Sequence, residues 1–83
     1  MKHNEAVSAV SAMIVQANDS REQVIIHNDD AVRVTLAFES PAVYTKGSFI
    51  DPARHSIFDG RFAKRAVYAV TESTGATVRI EEI

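Results

Sequence analysis

The sequence has no cysteine and no tryptophan, and only three glycines and two prolines in 83 residues. Without cysteine there is no disulfide, no thiolate metal site and no thiol nucleophile. All five turn-formers, Pro41, Gly47, Pro52, Gly60 and Gly75, lie after residue 40, so the second half is the richer in turns. The longest uncharged stretch, Ala6 to Asn18, is 13 residues, short of the ~20 that cross a bilayer as a helix. Met1-Lys2-His3-Asn4-Glu5 lacks the charged-then-apolar order of a secretory signal. The expectation is a cytoplasmic protein with no membrane contact. With 46% apolar and 24% charged residues the composition is that of a globular chain. Its length suits a single small domain spanning 1–83.

Charge is spread unevenly. Residues 1–40 carry a balance of −3, residues 41–70 one of +3 and residues 71–83 one of −2, for a net charge of −2. A basic middle therefore sits inside an acidic chain. Cross-strand pairing with the acidic ends can cancel it, or it can form a local anion-binding patch.

Ala6, Val7, Val10, Met13, Ile14 and Ala17 recur at spacings of three and four, which predicts a helix over 5–18 capped by Asn4. Val32, Val34, Leu36 and Phe38 alternate with Arg33, Thr35, Ala37 and Glu39, the period of a half-buried strand. Joined to 22–27 through Asn28-Asp29-Asp30, it predicts a hairpin with Ile26 opposite Val32 and Val24 opposite Val34. Asp51-Pro52 reads as the start of a short helical turn over 52–58, ending at Asp59-Gly60. A second hairpin, 61–71 with 76–82 around Gly75, faces Val70 to Val78 and Tyr68 to Ile80. The expected class is α+β: one N-terminal helix on an antiparallel sheet of four to five strands, built as two hairpins with a short helical turn between them. One helix cannot cover such a sheet, so Val67 and Ala69 are expected on an uncovered apolar face that invites a partner.

Chemical motifs are scarce. His3, His27 and His55 show no metal-ligand spacing, so no metal and no cofactor are expected. Asp51, His55 and Asp59 would share a face if 51–59 were helical, the one arrangement that suits general acid–base work. Arg54, His55, Arg61, Lys64 and Arg65 fall within twelve positions, interleaved with Phe58 and Phe62, as a nucleic-acid surface would have them. No glycine-rich phosphate loop accompanies them.

The leading expectation is a small non-enzymatic binding or regulatory protein acting by protein–protein contact, through self-association as a homodimer or by inhibiting a partner machine. Its candidate contact residues are Arg54, His55, Arg61, Lys64, Arg65, Val67 and Ala69. Many short, cysteine-free chains encoded by phages and mobile elements act so, an analogy of size alone. A nucleic-acid binder using 54–65 is the alternative, and a small enzyme around His55 the second alternative.

Overall fold

Eight strands and one 3-10 turn build the chain in the computed structural model, which describes residues 2–83. The strands are β1 (Lys2–Val7), β2 (Ala12–Val15), β3 (Gln23–Asn28), β4 (Val34–Ala37), β5 (Ser48–Ile50), β6 (Arg54–Asp59), β7 (Val67–Val70) and β8 (Ala76–Glu82). The 3-10 turn is Gly60–Lys64. Two four-stranded antiparallel sheets result, ordered β1-β8-β3-β6 and β2-β7-β4-β5. Strand pairs 1–8, 2–7, 3–6 and 4–5 nest inside one another, so the chain behaves as one long hairpin rolled across two layers. That is a double-sheet jelly roll.

The core lies between the layers. Val24, Ile26, Val78 and Ile80 of one sheet face Val34, Leu36, Ile50, Val67 and Ala69 of the other in a single buried cluster. Segment 38–47 folds back beside the second sheet: Thr35 Oγ1 donates to the Tyr44 carbonyl (2.9 Å) and the Ala42 N–H to Ser11 Oγ (2.7 Å). Gly47 (φ 121°) permits this approach, since a Cβ there would stand 2.4 Å from the Leu36 carbonyl oxygen.

The α+β expectation is overturned: the protein is all-β, and no α-helix occurs among the described residues. Segment 5–18 forms β1, a turn and β2 instead. Its three-and-four spacing coincides with two short strands out of phase. Val10 and Met13, which a helix would bury, are exposed, while Val7, Ile14 and Val15 point into the core. Ser8 Oγ accepts the Val10 N–H (3.2 Å), a local turn that competes with helix. The β-branched residues Val7, Ile14 and Val15 suit pleated strands, and β1 and β2 are held by ladders to β8 and β7 far along the chain.

Neither expected hairpin forms. β3 and β4 lie in opposite sheets, as do β7 and β8. Val24, Ile26 and Val34 do face one another, but across the sandwich rather than across a ladder. In β7 the faces are reversed from the expectation: Val67 and Ala69 point inward and are buried, at 1% and 0% exposure. The second sheet supplies the cover that a lone helix could not. Segment 52–58 is not helical either. Ala53 takes a positive φ (63°), and Arg54–Asp59 pair with β3 as an extended strand. The helical turn falls after Gly60 instead.

Candidate functional site

The basic segment is split by its own strand. Arg54 opens β6 opposite Asn28 and Asp59 closes it opposite Gln23, a run of roughly 16 Å at strand rise. Arg54 and His55 therefore stand far from Arg61, Lys64 and Arg65. His55 is exposed on the outer face of its sheet, opposite His27, with ring centroids 5.5 Å apart. His27 Nε2 lies 2.9 Å from Glu81, whose other oxygen meets Lys2 Nζ at 3.3 Å. Those contacts hold the Glu81 carboxyl below its usual range, the His27 hydrogen bond first. His55 and Asp59 are four apart in β6, about 13 Å, and Asp51 lies before the strand with its carboxylate bonded to Arg33, so the triad expected of a helix does not form. Lys64 is structural: its Nζ donates to the Asp19 and Arg21 carbonyls at 3.1 and 3.0 Å.

Arg61 and Arg65 meet three phenylalanines at one end of the sandwich. Phe38, just past β4, packs edge-on against Phe58 of β6 (5.1 Å, 79°) and lies tilted against Phe62 of the 3-10 turn (5.3 Å, 37°). The Arg65 guanidinium lies 5.3 Å from the Phe38 centroid and that of Arg61 5.2 Å from Phe62. Phe62 is 40% exposed. A groove of about 330 Å³ runs beside this cluster, lined in part by Phe38, Glu39, Ser48 and Arg65.

At the same end, where the sheets part between β1 and β2, lies a larger concavity of about 500 Å³. Strand alternation turns His3 and Glu5 of β1 and Glu82 of β8 inward, where Val7, Val78 and Ile80 sit further along the same strands. His3 Nε2 lies 2.8 Å from Glu82 Oε2 and His3 Nδ1 3.2 Å from Glu5 Oε1. Both contacts are hydrogen bonds only when both ring nitrogens carry protons. The carboxylates occupy opposite edges of the ring, and among the described residues no group of three or more His, Asp or Glu is arranged to hold a metal. The floor is Ile14, Val15 and Ala17. A register shift in β2 between Met13 and Val15 brings both Ile14 and Val15 into the core.

Arg21 braces this corner from behind. Its guanidinium is buried and donates to the carbonyls of Ala63, Gln16 and Arg65 and to Glu82 Oε1 (2.6 Å). Burial works to raise the Glu82 carboxyl, but hydrogen bonds from Arg21 and His3 outweigh it and hold the group below its usual range. Sequence reasoning passed over His3, Glu5, Arg21 and Glu82. The available signal was the alternation His3-Glu5-Val7 and Val78-Ile80-Glu82, which a helical reading of 5–18 concealed.

Fold and site together define a small double-stranded β-helix with polar groups at one end of its barrel. No protein-family model and no curated protein matches the chain. Solved structures do. The solution NMR structure of a de novo designed double-stranded β-helix aligns over 100% of this chain and 99% of its own, with TM-score 0.64 and 13% identity. The crystal structure of PirA aligns over 99% of this chain and 93% of its own, with TM-score 0.62 and 10% identity. Both similarities concern the fold. Among the described residues no helix is long and apolar enough to cross a membrane.

Proposed function

We propose that the protein is a non-enzymatic binding module acting by protein–protein contact in the cytoplasm, through the end formed by Phe38, Phe62, Arg61 and Arg65. The observation that carries this reading is the exposed Phe62 ring, with guanidiniums beside the ring cluster and an adjacent groove. Aromatic and arginine side chains are the types enriched where protein partners dock, and a pre-stacked cluster loses little freedom on binding. Val67 and Ala69, being core residues, have no part in it. A second copy of the chain is the simplest partner of this kind.

A nucleic-acid reading rests on the same rings and arginines. It is weakened by Lys64, committed to backbone carbonyls, and by Arg54, stranded at the far end of β6. A photo-crosslinker at position 62 is expected to trap a discrete protein adduct in the native cell. The same group at Glu72 is expected to trap none. Equal labelling from both positions, or none from 62, refutes the proposal. Salt-sensitive binding of a labelled single-stranded oligonucleotide, abolished by R61E/R65E, would move the function to nucleic acid.

A further inference from the structure

We propose that the open edge of β6 pairs with the β6 edge of a second copy of the chain, antiparallel and centred on Ile57, so that the β1-β8-β3-β6 sheets of two molecules join into one continuous sheet. This surface is distinct from the arginine–aromatic end and does not rest on it. The four edge strands are β1, β6, β2 and β5. A free edge exposes unpaired N–H and C=O groups and is usually blunted by shortness, a bulge or a lysine. β5 has three residues, β2 carries a register shift, and β1 opens with Lys2, whose side chain is 75% exposed. β6 has none of these. It runs six residues in unbroken register with β3, and Ile57 near its middle is 51% exposed.

The strand's own residues select the partner and the register. A symmetric antiparallel pair has its two-fold axis normal to the sheet, so outer-face residues meet only outer-face residues. His55, Ile57 and Asp59 form the outer row of β6, opposite His27, Ile25 and Gln23 of β3. The registers that keep this rule and pair most of the strand are centred on residues 56, 57 and 58. Centred on 57, Ile57 meets its own copy, and His55 of each molecule meets Asp59 of the other. Centred on 56 or 58, Ile57 would lie against His55 or Asp59 instead. Both polar groups are unengaged among the described residues: His55 meets only the His27 ring, and the Asp59 carboxylate caps no N–H of the turn that follows it. An imidazole N–H donates to a carboxylate whether or not the ring is charged. The full charges, Arg54 and Asp59, stand at opposite ends of β6, so antiparallel pairing also brings each to the end held by its opposite. An unrelated extended peptide would meet the edge without these matches.

The test is sedimentation equilibrium of the full chain from micromolar to millimolar concentration, which is expected to show a monomer–dimer equilibrium. Ile57→Lys sets two ammonium groups at the axis and is expected to raise the dissociation constant about tenfold or more. His55→Asp turns both symmetric pairs into facing carboxylates and is expected to weaken the dimer about tenfold, while His55→Asp with Asp59→His restores it. The chain has no cysteine, so Ile57→Cys gives one thiol per molecule. Mild oxidation is expected to link it across the axis, where paired Cα atoms lie about 5 Å apart. His55→Cys, displaced about 13 Å along the strand from its own copy, is expected not to link. Circular dichroism reports whether each variant is folded, and the charge swap decides should Ile57→Lys unfold. A monomer throughout, a dimer that survives Ile57→Lys, a double swap no better than His55→Asp, or equal linking at 55 and 57 overturns the proposal. A dimer lost in R61E/R65E but kept in Ile57→Lys overturns it in favour of the arginine–aromatic end.

Discussion

Replacing Arg21 tests how the open end of the barrel is held. Its side chain is 2% exposed and bridges three carbonyls and one carboxylate, joining the β2–β3 connection, the 3-10 turn and β8. Arg21→Ala takes this donor from three carbonyls and one partner from Glu82, which keeps His3, and breaking a buried pair in this way costs about 3–5 kcal/mol. For 83 residues the unfolding entropy is about 0.17 kcal/mol/K, so the melting temperature should fall by roughly 17–29 °C. A domain of this size is stable by only ~4–12 kcal/mol, so the variant stands near its folding threshold. Lysine, a point charge with three donors, cannot span the four acceptors, and Arg21→Lys should fall between. Pairing Arg21→Met with Glu82→Leu removes the carboxylate together with its guanidinium partner and should recover part of the loss. Thermal unfolding by far-ultraviolet circular dichroism is the assay, since the chain lacks tryptophan. A loss below ~5 °C for Arg21→Ala, or wild-type behaviour of Arg21→Lys, would refute this account.

The depressed Glu82 carboxyl adds stability that is complete above the unfolded value of ~4.3 and is lost as pH falls through the lower folded value; Glu82→Gln should flatten that acid limb in denaturation curves at stepped pH. Val67→Ala should cost about 2–3 kcal/mol by urea denaturation, as a core position demands, whereas an exposed valine would cost almost nothing. Thr71 Oγ1 is buried without a hydrogen-bond partner among the described residues, so Thr71→Val should raise stability by up to ~1 kcal/mol, and a clear loss would reveal a partner for the hydroxyl.

Alternation was legible in the sequence where the strands are regular. Val34 and Leu36 are core residues, Val32 and Phe38 pack against them, and Val78 and Ile80 line the same interior, as their period of two implies. Partner choice was not legible, because alternation tells which face is buried but not which sheet a strand joins. Turn residues after Asn28 and before Gly75 fit a hairpin and a crossover between layers equally well. In β7, Val67-Tyr68-Ala69-Val70 is apolar on both faces, so its inward side could not be told from composition. The corner site stayed hidden because its members come from opposite ends of the chain, brought together by the β1–β8 ladder. Of the arginine–aromatic end, Arg61, Phe62 and Arg65 are near neighbours in sequence and stay together in the structure, while Arg54 and His55 of the same basic run stand apart and Phe38, the central ring, enters only through the fold.

The nested strand order sets a timetable for synthesis. Val7 pairs with Ala76, and at translation rates of ~5–20 residues per second the intervening stretch takes roughly 3–14 s to emerge. During that wait the outermost ladder cannot close, and among the described residues β4 with β5 is the only pair of consecutive strands that share a ladder. The nascent chain must mature from its middle outward, with its first strand left as a loose flap until its last one is made.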